Sequence, residues 1–164
     1  STEEAGMTLS ALTQALLALY NRGGSYTPEQ LAAVYSQDIV FTDPAHSIHG
    51  LPALCAYLNH QYSNVTNCRF IATGEWATGE VTSSQKSGVA CLFLQWDMQV
   101  RHPKLNGGRM ITVNGLSQLQ CRVQTDGNQR IAMHRDYFDL GQLLYENVPV
   151  LGALNRRLKK GMSS

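Results

Sequence analysis

The chain has 164 residues, of which 43% are hydrophobic and 15% are charged, and its formal net charge is +1. This near-neutral balance argues against a nucleic-acid-binding protein, because such proteins usually carry a basic face. No stretch approaches the roughly 18 apolar residues that a membrane span needs, and the acidic N-terminus lacks the basic segment of a signal peptide. The length fits one domain, placed over residues 1–164. The four cysteines form no CxxC pair, so they predict core residues in a reducing, cytoplasmic compartment rather than a metal site.

Three helices are predicted in the first part of the chain. The first spans residues 8–22, where leucines recur at spacings of three and four before a glycine pair. The second begins at a capping box around Pro28, and its apolar stripe reaches Tyr35. A brief strand over residues 39–42 follows, and the third helix opens at Leu51.

Strands dominate the second part of the chain. The apolar alternation predicts strands over residues 68–77, 88–101, 109–123 and 129–138, with turn residues between the later ones. Sequential turns of this kind make an antiparallel meander, and helices packed on such a sheet give an α+β fold. A C-terminal helical extension is expected over residues 140–164.

The loop after the brief strand carries the first candidate site. Phe41 and Asp43 lie two apart on a strand, so they share a face, and Asp43 is expected at the mouth of a cavity. There a carboxylate can act as a general base; alternatively, Asp43 accepts backbone N–H bonds and fixes the turn. His46 and His49 form an HxxH pair, and His134 is the only plausible residue to supply a third metal ligand. We expect no metal and no cofactor.

The last predicted strand carries the second candidate site. Alternation places His134, Asp136 and Phe138 on one face, so a histidine and a carboxylate lie in an apolar wall. Such groups are acid–base candidates in a concave wall, although a buried structural pair is the alternative. Trp96 and Met98 share the buried face of the long strand, where they either line a pocket or fill the core.

Two segments resemble the nuclear transport factor 2-like (cone-fold) superfamily. Residues 35–44, YSQDIVFTDP, resemble the segment after the second helix in ketosteroid isomerases, and residues 134–141, HRDYFDLG, resemble the last strand of SnoaL-type polyketide cyclases. The resemblance implies a cone-shaped, strongly curved, mainly antiparallel sheet packed on three N-terminal helices. It also implies that Asp43 is a catalytic base and that Asp136, which follows His134, is an acid–base residue.

The oxyanion hole of ketosteroid isomerases has no counterpart at matching positions. Those enzymes pair their base with a tyrosine on the first helix and a protonated aspartate on a late strand. Here the tyrosine position falls near Leu16, with Tyr20 a full turn away, and the aspartate position falls near Gln120 or Cys121. SnoaL-type chemistry needs mainly one acid–base pair in an apolar cavity.

These features predict a SnoaL-like protein that binds a small hydrophobic molecule. If it is an enzyme, it transfers a proton next to a carbonyl group, by isomerisation, cyclisation or dehydration, with Asp43, His134 and Asp136 converging on one cavity. A non-catalytic ligand-binding or protein-interaction module of the same fold is the alternative. The other residues expected around the ligand are Phe41, His46, Tyr57, Trp96, Met98 and Phe138.

The outer face of the predicted sheet indicates a homodimer. A bare apolar face is an association liability in a monomer, and the resemblance implies dimerisation through the same face. The residues expected to point outward are Ile131, Met133 and Tyr137, with Val113, Leu119 and Val123 on the neighbouring strand.

Overall fold

A computed structural model describes residues 9–62, 66–78, 90–103 and 106–139. The expected helical extension over residues 140–164 lies outside the described residues.

Three α-helices lie in the first part of the chain: α1 (Ala11–Asn21), α2 (Pro28–Ala32) and α3 (Leu51–Tyr62). The capping box before α2 is confirmed, since the side chains of Thr27 and Gln30 each accept the other's backbone N–H. The predicted length of α2 is wrong, because Tyr35 belongs to the following strand. The backbone N–H of Ile131 donates to the carbonyl of Val34 at 2.9 Å, so pairing with a distant strand replaces the helix there. None of these described helices is long and apolar enough to cross a membrane.

One six-stranded sheet makes up the rest of the fold, in the order β2-β1-β6-β5-β4-β3. The strands are β1 (Tyr35–Thr42), β2 (Ser47–His49), β3 (Thr66–Thr78), β4 (Ala90–Arg101), β5 (Ile111–Val123) and β6 (Gln129–Phe138), with a short 3-10 turn at Asn106–Gly108. Strands β1 and β6 pair in parallel, and every other pair is antiparallel. The sheet is open, and the α+β class predicted from the sequence is confirmed.

The core lies between the three helices and one face of this sheet. Leu54 and Leu58 of α3 pack with Ile39 of β1 and Leu119 of β5, and each of these side chains is at most 2% exposed. Burying one such side chain stabilises the fold by roughly 1.5–3 kcal/mol. The helices therefore cover one face of the sheet, and the cavity described below opens within that layer.

Helix α1 is held against the edge strand β3 at both ends. At its start, the Glu75 carboxylate accepts the N–H of Ser10, the N-cap residue, at 3.1 Å. At its end, the Asn21 amide donates to the carbonyl of Phe70 at 2.9 Å and accepts the N–H of Phe70 at 2.7 Å. The side chain of Asn21 thus pairs with the edge strand as a neighbouring strand would.

The predicted placement of Val113, Leu119 and Ile131 on the outer face is wrong, because all three side chains are fully buried. Val113 pairs with Met98, which lines the cavity, so it shares the inner face. Ile131 turns inward because the pairing of β5 and β6 shifts between Gln120 and Cys121. Such a bulge inserts one residue and breaks the strict alternation on which the prediction depended.

The remaining members of that predicted set do lie away from the core. Tyr137 is 43% exposed and Val123 is 42% exposed, while Met133 is half-buried. Arg135 and Gln118 pair with each other on the same outer face, so this face mixes polar and apolar side chains.

Candidate functional site

A cavity of about 230 Å³ lies between helices α1 and α3 and the concave face of the sheet. Most of its walls are aromatic and aliphatic side chains. Among the sequence candidates, the lining includes Phe41, Asp43, Tyr57, Trp96, Met98, His134, Asp136 and Phe138. His46 is not part of the lining, and it instead contacts Asp43 and Tyr57 from outside. Gln61 is an exposed lining residue, so the cavity reaches the protein surface.

A chain of four hydrogen-bonded side chains runs behind this cavity. The hydroxyl of Tyr20 on α1 lies 2.8 Å from the hydroxyl of Tyr35 on β1. The Tyr35 hydroxyl lies 2.8 Å from Nδ1 of His134, and Nε2 of His134 lies 2.6 Å from Oδ1 of Asp136. Tyr20 and Asp136 both line the cavity, whereas Tyr35 does not. The chain therefore begins and ends at the walls of the same cavity.

Two neighbouring strands hold Asp136 in place. Ser117 is paired directly with Asp136 across β5 and β6, and its hydroxyl donates to Oδ1 at 2.5 Å. The indole N–H of Trp96 donates in turn to the Ser117 hydroxyl oxygen at 2.8 Å. This contact requires a glycine at Gly115, because a Cβ there would lie 2.2 Å from the Trp96 ring.

The other oxygen of Asp136 is available to a ligand. Both hydrogen bonds to this carboxylate reach Oδ1. No residue that the structure describes donates a hydrogen bond to Oδ2. The Asp136 side chain is 17% exposed and lines the cavity. A carboxylate fixed through one oxygen and open at the other is the geometry expected of a general base.

Counting hydrogens along the chain gives two consistent arrangements. If Asp136 is ionised and His134 is neutral, Nε2–H donates to Asp136, and Nδ1 accepts from the Tyr35 hydroxyl. Tyr35 then accepts from Tyr20. If His134 is protonated, Nδ1–H donates to Tyr35, which donates to Tyr20. Burial and the neighbouring Tyr35 raise the pKa of Tyr20 well above its ordinary value, so it remains a phenol at neutral pH.

Asp43 is bonded through both of its oxygens. Its Oδ1 accepts the backbone N–H groups of Ala45 at 2.8 Å and His46 at 2.7 Å. Its Oδ2 accepts the hydroxyl hydrogen of Tyr57, and burial together with this bond raises the pKa of that phenol. Asp43 thus closes the turn between β1 and β2, which is the structural alternative that the sequence left open.

The HxxH pair does not form a metal site with its neighbours. Nδ1 of His46 lies 3.3 Å from Oδ1 of Asp43, while Nε2 of His49 lies 3.4 Å from the Ser47 hydroxyl. Both ring nitrogens of His134 are engaged elsewhere. Within the described ranges, no group of three or more His, Cys, Asp and Glu side chains could hold a metal ion.

Sequence reasoning missed Tyr20, Tyr35 and Ser117 as parts of the site. Tyr20 lies four residues after Leu16, so the two share a face of α1, and this spacing could have indicated that it points inward. Tyr35 was assigned to the apolar stripe of α2. Ser117 carried no signal of its own, because its role depends on which strand lies beside β5.

Comparisons with known proteins identify the fold. Neither a protein-family model nor a curated protein sequence matches the chain. A hypothetical protein with a ketosteroid isomerase-like fold from Catenulispora acidiphila, solved in complex with trimethylamine, superposes with a TM-score of 0.66 at 14% identity, over 87% of this chain and 96% of that one. An NTF2-like protein of unknown function from an Exiguobacterium species gives 0.54 at 13% identity, over 79% of this chain and 98% of that one. The chain has a nuclear transport factor 2-like fold.

A third structure with this nuclear transport factor 2-like fold contains a larger ligand. TerC, co-crystallised with polyporic acid, superposes with a TM-score of 0.56 at 15% identity, over 82% of this chain and 95% of that one. At these identities the likeness concerns the fold alone. The fold expected from the resemblance of the two sequence segments is confirmed.

Proposed function

We propose that the chain binds a small, largely apolar carbonyl compound in this cavity and transfers a proton next to the carbonyl group, with Asp136 as the base. The observation that supports this most is Oδ2 of Asp136, an open carboxylate oxygen in the wall of an apolar cavity. Isomerisation, cyclisation and dehydration of such compounds all begin with the loss of a proton beside the carbonyl group.

The proposed step uses the open oxygen of Asp136. Oδ2 of Asp136 takes a proton from the carbon next to the carbonyl group. The electron pair of the broken C–H bond forms the carbon–carbon double bond of an enolate, and the negative charge moves to the substrate oxygen. Return of the proton from Asp136 to another carbon completes an isomerisation.

The other groups of the site have supporting roles in this proposal. His134 and Ser117 fix the orientation of the Asp136 carboxylate. Phe41, Trp96 and Phe138 exclude water and contact the apolar body of the ligand. Two proteins of the same fold, solved with trimethylamine and with polyporic acid, support small-molecule binding by this fold.

A binding module without catalysis is the second candidate, and one observation favours it. All buried side-chain nitrogen and oxygen atoms of the described residues have hydrogen-bond partners. The buried atoms of the His134–Asp136 pair are bonded to protein groups, which also fits a purely structural role. The two candidates differ in whether a bound ketone exchanges its acidic hydrogens.

Hydrogen–deuterium exchange tests the proposal without knowledge of the natural substrate. The protein is incubated with 2-tetralone in D₂O at neutral pH, and loss of the α-hydrogen signals is followed by NMR. We expect the wild type to accelerate exchange and Asp136→Asn to lower that rate by about 100-fold, within the usual range for loss of a general base. Equal rates for the two proteins, with 2-tetralone bound to both, would leave only the binding module.

A homodimer through the outer sheet face remains part of the proposal. Trp76, which pairs with Phe93 on the face opposite the core, is 55% exposed, and Tyr137 is 43% exposed on the same side. Exposed aromatic residues of this kind support an association surface. Light scattering at micromolar concentration is expected to give twice the monomer mass, and Trp76→Ala is expected to lower it. A monomeric mass for the wild type rejects the dimer.

A cytoplasmic location also remains a proposal. It is supported by the free thiols of Cys55, Cys68, Cys91 and Cys121, which are typical of a reducing compartment.

A further inference from the structure

The described lining of the cavity holds carboxylates but no permanently positive side chain. Its lining contains the carboxylates of Asp43 and Asp136 and the imidazoles of His102 and His134, but no arginine or lysine among the described residues. Protonation of His134 would do no more than balance Asp136. Three of the described arginines are engaged elsewhere: Arg122 with Asp38, Arg130 with the carbonyl of Ala32, and Arg135 over the ring of Tyr137.

An anionic ligand would therefore lose its hydration without gaining a cationic partner among the described residues of the lining. Moving a carboxylate, sulfate or phosphate into an apolar site is costly unless an opposite charge or several donors receive it. Here the anion would also lie near Asp136, and like charges repel more strongly where the surroundings exclude water.

A cation, in contrast, would find two kinds of partner. Oδ2 of Asp136 is an open carboxylate oxygen whose negative charge attracts an ammonium group. The lining also carries aromatic rings, including Tyr20, Phe70, Trp96 and Phe138, whose negative faces attract cations. A neutral ligand would gain the apolar contacts without either effect.

We propose that the cavity selects its ligand by charge, accepting neutral carbonyl compounds and protonated organic amines and rejecting carboxylates, sulfates and phosphates. This rests on the proposed function, for which it defines the charge class of the substrate. An amine without a carbonyl group is then an inhibitor, because its ammonium group binds the oxygen that would take the proton.

Three probes of matched shape test this selection. Benzyltrimethylammonium, neopentylbenzene and phenylmethanesulfonate share a benzyl group and a tetrahedral head, and differ in carrying a positive, zero or negative charge. Dissociation constants are measured by calorimetry or ligand-observed NMR, since the neutral probe has no charge to report. We expect the ammonium to bind at least about tenfold more tightly than the sulfonate, with the neutral probe also ahead of the sulfonate.

Two variants show where the selection arises. Asp136→Asn should reduce the ratio between the sulfonate and ammonium dissociation constants several-fold. Its melting temperature should stay close to that of the wild type. Glu29→Gln removes the same charge from the exposed first turn of α2, so it should leave that ratio unchanged. If Asp136→Asn unfolds, Asp43→Asn offers a second lining carboxylate, with a smaller expected reduction.

Several results would overturn the charge selection. These are sulfonate binding as tight as ammonium binding, an unchanged ratio in both carboxylate variants, and no measurable binding of any probe. The proposed catalysis is tested separately. If the probes bind in the expected order but 2-tetralone does not exchange, the charge selection stands and the proposed enzymatic activity is wrong. If 2-tetralone exchanges and the sulfonate binds tightly, the proposed catalysis stands and the charge selection is wrong.

Discussion

Asp43 and Asp136 line the same cavity, but the residues around them hold the two carboxylates in different ways. Asp43 lies in a tight turn, where two backbone N–H groups occupy one oxygen and a phenol occupies the other. Asp136 lies on a central strand, where His134 of the same strand and Ser117 of the neighbouring strand bond to a single oxygen. The comparison teaches that a carboxylate in a cavity wall is a candidate base only if one oxygen remains for the ligand.

The largest expected difference between the two aspartates is in catalysis. Asp43→Asn keeps an oxygen for the N–H groups of Ala45 and His46, so exchange of 2-tetralone should fall less than about fivefold, against about 100-fold for Asp136→Asn. Rates are measured for both variants at saturating ketone. If Asp43→Asn loses as much activity as Asp136→Asn, the division of roles between the two carboxylates is wrong.

The hydrogen-bonded chain behind Asp136 gives the next effect. Tyr35→Phe keeps the ring but removes the hydroxyl between Tyr20 and His134. We expect about tenfold slower exchange, a changed pH profile and a loss of about 1–3 kcal/mol in unfolding free energy, since buried polar atoms lose their partner.

Tyr137→Phe is the matched control for that variant. It removes an exposed hydroxyl that donates to Gln118 at 3.3 Å on the outer face. Its rate and pH profile should equal those of the wild type. An unshifted pH profile for Tyr35→Phe would mean that the hydrogen-bonded chain of side chains only supports the fold.

A change at Gly115 tests how Asp136 is supported from β4. In Gly115→Ala the new methyl group meets the Trp96 ring, which must move away from Ser117. Overpacking of this kind costs about 1–3 kcal/mol, and quenching of Trp96 fluorescence by a bound ketone should weaken. Gly127→Ala, in an open turn, should cost stability without altering that quenching.

The smallest effect is expected on the Asp43 side. Tyr57→Phe removes the phenol from Oδ2 while the two backbone bonds to Oδ1 remain. Unfolding free energy should fall by about 1 kcal/mol, because one hydrogen bond is lost next to partly exposed groups. A loss of more than about 3 kcal/mol in chemical denaturation would show that Tyr57, rather than the backbone, holds the turn.

The sequence was most informative where a structure depends on neighbours along the chain. The capping box of Thr27 and Gln30 and the turn at Asp43 are local, so residue types alone predict them. Strict alternation also brought His134 and Asp136 to one face correctly. It failed at Ile131, because a bulge depends on how two strands fit together and leaves no clear mark in one of them.

The assembly of the site was beyond such reasoning. Tyr20, Tyr35 and His134 come from a helix, an edge-side strand and a central strand, and the Tyr35–His134 contact joins residues 99 positions apart. Nothing in the identity of Tyr35 separates a core aromatic from a member of a hydrogen-bonded chain. Only the pairing of β1 with β6 makes that distinction.

The parallel pairing of β1 with β6 also governs when the site can exist. β6 is synthesised almost a hundred residues after β1, so Asp136 and its hydrogen-bonded partners cannot assemble before β6 has left the ribosome. Contacts of such long range pay a large loop-closure entropy before they gain stability, which slows folding. Until the two strands meet, the nascent chain presents β1 without its parallel neighbour.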